Sequence, residues 1–268
     1  MPGSATTVTP SLANARARRG DSGATHSPPM MQDKAVRDAI FVGIDRAAVA
    51  AVLFEGYADP TVDIFPTTVP TAGKRHDVPK RDLAAAKAAL TAGGWTAQGA
   101  GFSKDGKPLA IDFLVSDESF PGSRRIAEML QAQLTEVGFK VNISSVDTAV
   151  MHQRRPDFEY DLTFFGNYGA PYDPHGSLGA SFVTAVDTGP DGKIYVSDDL
   201  DKLVLAALET AGDAREAAMQ SVYDWIYDNT AACPLVVTQR LWAVSSRVKG
   251  FALPATDYDL PFKGLTLA

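Results

Sequence analysis

Residues 110–143 carry two hydrophobic periods in succession, and this succession limits the possible folds more than any other feature of the chain. Residues 110–116 place Ile111, Phe113 and Val115 on one face of an alternating pattern, as a strand does. Residues 123–137 then carry an apolar stripe at helical spacing, and Gly138 supplies a helix stop. Residues 139–143 alternate again. A strand, a helix and a strand over this length predict a βαβ unit with two parallel strands and a right-handed crossover.

The stretch FFGNYGAPYDPH, residues 164–175, comes at the end of the next predicted strand, residues 161–166. We expect that strand to join the same sheet. Ligands of open α/β sheets bind beyond the carboxyl ends of the strands. The stretch holds two tyrosines, two prolines, an aspartate and a histidine. The prolines stiffen the backbone, and Asp173 before Pro174 favours a turn. Its position makes it the candidate ligand site.

Apolar stripes and capping residues predict helices along the rest of the chain. The first begins near Val36, and Asp45 caps the second. The predicted helices after that cap cover residues 46–54, 81–92, 200–211 and 213–227. The last of them opens on a capping-box-like pair, Asp213 and Glu216. Helices and strands therefore mix along one chain, which predicts an α/β protein.

The remaining segments are predicted to be loops or short strands. Residues 59–79 are rich in proline and threonine and are expected to form a surface loop. Residues 235–237 and 241–244 are apolar enough for strands, and residues 249–268 are predicted to be an irregular tail.

Composition excludes several classes of function. The formal net charge is −7 and the isoelectric point is about 5.1, so no nucleic-acid partner is expected, because phosphate binding needs clustered Lys and Arg. No apolar stretch approaches the ~20 residues of a membrane helix, so no membrane span is predicted. Cys233 is the only cysteine, which excludes a disulfide within the chain. We expect Cys233 to be a small buried residue.

The N-terminal segment has the composition of an unfolded chain. It is rich in Ser, Thr, Ala, Pro and Gly, and it lacks the roughly 7–15-residue apolar core of a secretory signal. Such a segment cannot bury enough apolar surface to offset the entropy of the chain. Residues 1–32 are therefore predicted to be a disordered low-complexity tail, with order beginning at Asp33.

Catalytic motifs are missing from the sequence. It contains no GxSxG elbow, no HExxH, no Walker loop and no GxGxxG after a predicted strand. The histidines are scattered along the chain as His26, His76, His152 and His175. No spacing of aspartates or glutamates specifies a carboxylate pair. We therefore predict that the protein is not an enzyme and has no cofactor.

Three segments resemble a known family. VRDAIFVGIDRAAVAAVLFEGYADP resembles the segment that opens the second lobe of the solute-binding proteins of family 5, which serve ABC importers of peptides and nickel. GSRRIAEMLQAQLTEVGFKVNI resembles the helix that leads into a strand in that family, and YDLTFFGNYGAPYDPH is similar to its strand and binding loop. GAPYDPH is most similar to the loop of the nickel-binding branch. The resemblance covers residues 33–268.

The resemblance implies a fold of two α/β lobes, of periplasmic-binding-protein type II, that close over a ligand about a hinge. Residues 33–230 correspond to the second lobe, and residues 231–268 correspond to the C-terminal segment that returns to the first lobe. The N-terminal part of the first lobe and the strand leading out of it are expected to be absent, so the chain is interpreted as a fragment. With the neighbouring strands missing, residues 235–237 and 241–244 are expected to have unpaired edges. The implied partner is the membrane permease of the importer. The implied location is periplasmic or otherwise extracytoplasmic.

The resemblance also assigns candidate ligand contacts. Tyr168 occupies the position of an aromatic residue that flanks the ligand, and Tyr172 matches a tyrosine of the same pocket. Tyr258 lies near the C-terminal pocket position. His175 is the fourth candidate, and its chemistry allows either metal ligation or a simple hydrogen bond.

Two departures from the family bear on the ligand. The metal-ligating histidine of nickel-binding relatives corresponds to Val186, so no metal ligand from this chain is predicted. The aspartate that captures a peptide's amino terminus corresponds to Ala170, and a buried ammonium without a paired carboxylate is unfavourable. The predicted ligand is therefore nickel, or a nickel chelate, as transported cargo. An oligopeptide- or dipeptide-binding protein and a non-binding remnant are the alternatives.

Overall fold

The structure is a computed structural model. It describes residues 11–13, 18–19, 25–26, 29–67, 69, 71, 73–166, 173–187, 189, 192–239, 241–252, 262 and 264–268.

Helices and strands mix along the whole described chain. The helices are α1 (Pro29–Gln32), α2 (Lys34–Gly43), α3 (Arg46–Leu53), α4 (Leu83–Ala92), α5 (Ser123–Val137), α6 (Thr148–Arg154), α7 (Pro174–Phe182), α8 (Asp198–Glu209) and α9 (Ala214–Asp228). None of these helices has the length and the apolar character that crossing a bilayer would require.

The strands are mostly short. They are β1 (Ser11–Ala13), β2 (Arg18–Arg19), β3 (Thr25–His26), β4 (Ala58–Pro60), β5 (Thr96–Gln98), β6 (Gly101–Lys104), β7 (Lys107–Pro108), β8 (Ala110–Val115), β9 (Lys140–Ser145), β10 (Leu162–Phe165), β11 (Ala232–Pro234), β12 (Val236–Thr238), β13 (Val248–Lys249) and β14 (Thr266–Leu267). Outside the main sheet, β5, β6 and β7 form one small sheet, and β2–β3, β4–β12 and β13–β14 form two-stranded pairs.

The predicted βαβ unit is confirmed. Strands β8 and β9 pair in parallel, with Ala110 opposite Lys140 and Val115 opposite Ser145, and α5 connects them. Helix α5 ends where the sequence predicts, because Gly138 adopts φ +118°, a left-handed conformation that side chains disfavour. Strand β10 also pairs with β8 in parallel, as expected.

The main sheet has the order β11-β1-β10-β8-β9, and its strand β1 lies in the segment that was predicted to be disordered. Leu12 pairs with Phe164 on β10 and with Cys233 on β11, both in antiparallel register. The described residues of β2, β3 and α1 lie in the same segment. The structure differs from the prediction of disorder there. A three-residue strand between two others obtains its hydrogen bonds from its neighbours and needs no apolar run of its own.

The C-terminal segment also differs from the prediction. Residues 232–234 and 236–238 form the strands, whereas residues 241–244 form none. Strand β12 pairs with β4 in antiparallel register in a two-stranded sheet, so one of its two edges is paired where unpaired edges were expected. Strand β4 begins at Ala58 and overlaps the first two residues of the stretch 59–79, which was predicted to be a loop.

Each face of the main sheet supports one hydrophobic core. Ile111, Phe113 and Val115 of β8 belong to the first core, which packs against α2 and α5. Leu114, which points to the opposite face, belongs to the second core, together with side chains from α7, α8 and α9. The alternation along β8 therefore separates the two layers of helices, as a two-faced sheet requires.

Cys233 is buried, as predicted, and it lies beside the most deeply buried arginine of the described chain. The Arg46 guanidinium donates to the Cys233 Sγ at 3.1 Å, to the Pro234 carbonyl at 2.7 Å and to the Phe41 carbonyl at 2.8 Å. Burial raises the pKa of the Cys233 thiol, which the positive charge of Arg46 opposes. These contacts of Arg46 join α3 to β11 within the first core.

Asp33 forms a polar junction at the start of α2. Its side chain accepts from the Ala35 backbone N–H at 3.0 Å and so caps the helix. It also accepts from Trp95 Nε1 at 3.0 Å and from Lys104 Nζ at 2.8 Å. Burial works to raise the pKa of Asp33, but the hydrogen bonds from Lys104 and Trp95 outweigh it and lower that pKa. One carboxylate therefore ties α2 to the β5–β6 region.

Asp161 lies beside Asp112 on the neighbouring strand and is 8% exposed. Its Oδ2 accepts from the Asp112 backbone N–H at 2.7 Å. Burial raises the pKa of Asp161 to about 6, against that hydrogen bond, and the charge of Asp112 adds to the rise. Asp112 has other partners, since Arg154 lies 2.9 Å from its Oδ2 and Ser144 Oγ lies 2.6 Å from its Oδ1.

Replacing Asp161 with asparagine is expected to stabilise the protein at pH 7 by about 1–3 kcal/mol. The folded state raises the pKa of Asp161, so ionisation opposes folding. The destabilisation caused by ionisation of Asp161 is absent below the unfolded pKa of about 4, and it grows as the pH rises to about 6. The difference in unfolding free energy between Asp161→Asn and wild type should therefore increase from pH 4 to pH 6 and then level off. Denaturant titrations from pH 4 to pH 8 measure it, and a constant difference would contradict this assignment.

Candidate functional site

The carboxyl ends of β8, β9 and β10 meet at one edge of the sheet, because the three strands are parallel. The segments that follow them are connected there. Ser119, after β8, has its Oγ 3.0 Å from Thr148 Oγ1 at the start of α6, which follows β9. The Thr148 backbone N–H donates to Glu118 Oε2 at 3.1 Å. The edge is thus a defined surface built from several loops, as the sequence predicts for a ligand site.

Aromatic and cationic side chains hold the carboxyl end of β10. The Phe164 ring lies 5.0 Å from the Phe113 ring and 5.7 Å from the Phe120 ring, measured between centroids. On the next residue, the Arg155 guanidinium lies 4.0 Å from the centre of the Phe165 ring. Arg155 Nη2 also donates to the Phe164 carbonyl at 3.4 Å. Phe164 and Phe165, at the start of the candidate loop, are therefore held by contacts on opposite faces of the sheet.

Helix α7 begins where the candidate loop ends. Asp173 is its N-cap and accepts from the His175 backbone N–H at 2.7 Å, and Pro174 occupies the first turn. Arg215, at the start of α9, places Nη2 3.1 Å from Asp173 Oδ1. Residues 173–174 were predicted only as a stiff turn. An aspartate followed by a proline is also a helix start, since proline has no N–H to leave unpaired at that position.

A second polar cluster holds the segment before Lys80 against α9. The ring of His76 places Nδ1 2.7 Å from Asp63 Oδ1 and Nε2 3.2 Å from Asp224 Oδ1. The same ring stacks on Tyr227, with centroids 4.0 Å apart. Arg75 Nε lies 3.1 Å from Asp63 Oδ2. Proline and threonine in this segment predict a loop, but the pairing with α9 involves residues about 150 positions apart and leaves no local signal.

The structure describes one of the four predicted ligand contacts, His175. Tyr168, Tyr172 and Tyr258 lie outside the described residues, so their roles stay predictions. His175 is exposed on the first turn of α7. Val186, at the position of the missing histidine, is 39% exposed. Within the described ranges, His, Cys, Asp and Glu form no group of three that could hold a metal ion.

Arg215 is a described residue near the candidate loop that the sequence pattern did not indicate. It lies 42 positions beyond Asp173, in a helix whose polar side chains look like an ordinary exposed face. The Asp213–Glu216 capping box predicted for the same turn is also absent, because the Asp213 side chain makes no capping hydrogen bond. An ion pair between distant helices depends on the packing of α7 and α9 and has no signature in the local sequence.

Comparison with known proteins gives consistent results. The model of "Bacterial extracellular solute-binding proteins, family 5 Middle" matches residues 14–188. A "Probable di/tripeptide-binding protein 5" of Pseudomonas aeruginosa is 28% identical over 238 residues, which are 85% of this chain and 40% of that protein. A "Nickel-binding periplasmic protein" of Escherichia coli is 24% identical over 239 residues, which are 85% of this chain and 44% of that protein.

A solved structure shares the fold. The crystal structure of an ABC transporter substrate-binding protein from Sinorhizobium meliloti matches with a TM-score of 0.78 and 42% identity, covering 99% of this chain and 53% of that one. The chain thus spans about half the length of the relatives that it matches. The family match starts at residue 14 and so includes residues that were predicted to belong to a disordered tail.

These findings confirm the predicted α/β fold of the periplasmic-binding-protein type and the resemblance on which it was based. The matched relatives are solute-binding proteins and not enzymes. The division into residues 1–32, 33–230 and 231–268 stays a prediction. The chain belongs to the bacterial extracellular solute-binding proteins of family 5.

Proposed function

We propose that the chain is part of the substrate-binding component of an ABC importer, and that its ligand is nickel carried as a metal chelate. The observation that carries the proposal is the position of residues 164–175. The stretch begins at the carboxyl end of β10, and its last residues, from Asp173, start α7. In an open α/β sheet this edge is the one that binds ligands.

Two features of the loop favour a chelate over a peptide. Tyr168 and Tyr172 offer aromatic faces, which can cover a cation or a chelate ring without a protein ligand to the metal. Ala170 stands where a peptide binder would place a carboxylate, so the ammonium group of a peptide would lack its partner. His175 and Tyr258 complete the proposed set of contacts.

Peptide binding is the second candidate. It is supported by the di/tripeptide-binding relative, which is similar to this chain over nearly the same length as the nickel-binding one. A third outcome is a chain that binds neither ligand on its own. The proposed mechanism for a full-length protein is closure of two lobes about a hinge, driven by contacts that the ligand makes only in the closed state. The proposed partner is the importer's permease, and the proposed location is extracytoplasmic.

Calorimetry distinguishes the candidates. Nickel(II) with L-histidine, nickel(II) with citrate and a panel of di- to pentapeptides are titrated into the purified chain. We expect saturable but weak heat, with a Kd of about 0.1–1 mM, for a nickel chelate only, because the chain spans about half of its relatives. Heat with peptides alone would reverse the ranking, and no saturable heat with any ligand would indicate the non-binding remnant.

The variant Tyr168→Ala is expected to weaken chelate binding by about 3–30-fold, because it removes an aromatic face from the ligand. Tyr168→Phe keeps that face and should bind within about twofold of wild type. Equal affinity of the alanine variant and wild type would remove Tyr168 from the site.

A further inference from the structure

After β12 the chain continues in a segment that lies mostly at the surface. Residues 241–252 are exposed, apart from two that are half-buried. Strand β13 of this segment pairs with β14, and the Ala268 backbone N–H donates to the Arg247 carbonyl at 2.8 Å. Residues 241–252 and 264–268 are together termed the C-terminal arm. The arm is folded on itself while most of its residues face solvent.

Large apolar side chains are exposed where the C-terminal arm meets the turn between α3 and β4. The Gln239 backbone N–H donates to the Tyr57 carbonyl at 2.9 Å, so the arm begins beside that turn. Single exposed apolar side chains are normal, but several on adjoining segments form a patch of the kind that binds partners. The arm surface is defined by five side chains that are between 37% and 62% exposed: Val52, Tyr57, Leu241, Trp242 and Val244.

The size of the arm surface suits an interface with another protein molecule. At their exposed fractions, its five side chains present roughly 400–500 Å² of apolar area. Each partner of a standard interface buries about 800 Å², of which a little over half is apolar. The arm surface therefore has about the apolar area that one side of such an interface needs.

Charges of opposite sign flank the arm surface. Glu55 and Asp59 are exposed beside the turn at which the C-terminal arm begins. Arg247 and Lys249 are exposed further along the arm, and residues 241–252 contain no aspartate or glutamate. One end of the arm surface is therefore acidic and the other end is basic.

A surface with this polarity is complementary to itself. In a two-fold dimer both molecules use the same patch, turned end for end, so the acidic end of each copy meets the basic end of the other. The apolar centres then meet between two pairs of opposite charges. The net charge of −7 opposes association of two copies, but salt at about 0.15 M screens exposed charges beyond about 8 Å. The local charges at the interface therefore outweigh the net charge.

We propose that two copies of this chain form a two-fold dimer through the arm surface, in which Glu55 and Asp59 of each copy face Arg247 and Lys249 of the other. Burial of the apolar centre supplies the affinity, and the charges at the two ends set the orientation. The dimer is independent of the proposed function, because it uses none of the candidate ligand contacts.

Sedimentation velocity of the full chain, at about 1–200 μM, measures the association. We expect a monomer–dimer equilibrium with a Kd of about 1–100 μM. In Leu241→Glu the Kd should rise at least about 30-fold, because a carboxylate would be buried in the apolar centre.

Leu205→Glu is the matched control for Leu241→Glu. Leu205 is 45% exposed on α8, which packs on the second core, whereas α3 packs on the first. This variant introduces the same charge on a different face and should leave the Kd within about twofold of wild type. Circular dichroism checks that both variants are folded.

Charge reversal tests the orientation of the two copies. Glu55→Lys and Lys249→Glu should each weaken self-association about 3–10-fold, because each would place like charges at both ends of the interface. An equimolar mixture of the two variants should form a heterodimer within about twofold of the wild-type affinity, since both ends then regain opposite charges. Recovery on mixing two separate chains cannot come from a contact within one chain.

Three results would overturn the dimer. A wild-type chain that stays monomeric up to about 200 μM would assign the arm surface to a different polypeptide. An unchanged Kd in Leu241→Glu would remove the arm surface from the interface. A mixture of Glu55→Lys and Lys249→Glu that associates no better than either variant alone, or open-ended oligomers of wild type, would contradict the two-fold arrangement.

Discussion

Replacing Phe164 with alanine is expected to lower the free energy of unfolding by about 3–5 kcal/mol, the usual loss for a buried aromatic side chain in a core. Phe164 is 6% exposed on β10, and its ring contacts those of Phe113 and Phe120. Alanine would leave a cavity in the first core and remove both aromatic contacts. Denaturant unfolding followed by circular dichroism measures the loss.

Two variants serve as controls for the loss of stability in Phe164→Ala. Phe164→Leu keeps most of the apolar volume and should lose about 1–2 kcal/mol. Phe262→Ala removes the same number of atoms from a side chain that is 69% exposed and should change stability by no more than about 0.5 kcal/mol. A loss below about 1 kcal/mol for Phe164→Ala would mean that Phe164 is not packed as described.

Replacing Asp33 with alanine is expected to cost about 2–4 kcal/mol. The loss combines about 1 kcal/mol for the cap of α2 with about 1–3 kcal/mol for leaving the buried Trp95 N–H without its acceptor. The ion pair with Lys104 adds little, because the Lys104 side chain is 35% exposed. Thermal and denaturant unfolding at pH 7 measure the difference.

Asp82→Ala provides the comparison for Asp33→Ala. Asp82 caps α4 through the Ala85 N–H, so its loss should be about 1 kcal/mol. The pKa of Asp33 is lowered in the folded state, so its ionised form stabilises the fold above the unfolded pKa near 4. This part of the stability is lost as the pH falls through the lower folded pKa. Equal losses for the two variants at pH 7 would contradict the role of Trp95.

Local signals made much of the fold predictable from the sequence. Helix α5 and the strands on either side of it combine a clear period with a glycine that must adopt a positive φ, and the structure agrees within a residue or two. Helix α3 begins after Asp45 as predicted, with the Asp45 carboxylate accepting from the Ala48 N–H at 2.9 Å. These elements are specified by residues within one or two turns of each other.

Pairings between distant segments could not be predicted in this way. Strand β1 has three residues and depends on β10 and β11 for its hydrogen bonds, and β4 likewise depends on β12. Disorder is predicted from composition because a segment poor in apolar residues can bury little surface by itself. A strand inserted between two others is held by backbone hydrogen bonds to its neighbours, which composition does not reveal. For the same reason the Arg215–Asp173 contact was missed, whereas the position of the loop beyond β10 was foreseen from topology.

The pairing of Leu12 with Cys233 provides a natural probe of the sheet. Cys233 is the sole thiol, and it is 4% exposed, so a sulfhydryl reagent can reach it only after the packing around β11, the terminal strand in the order of the main sheet, has opened. The rate of thiol labelling under native conditions therefore reports how often that opening occurs. No engineered label is needed, and the same readout compares every variant on a single scale.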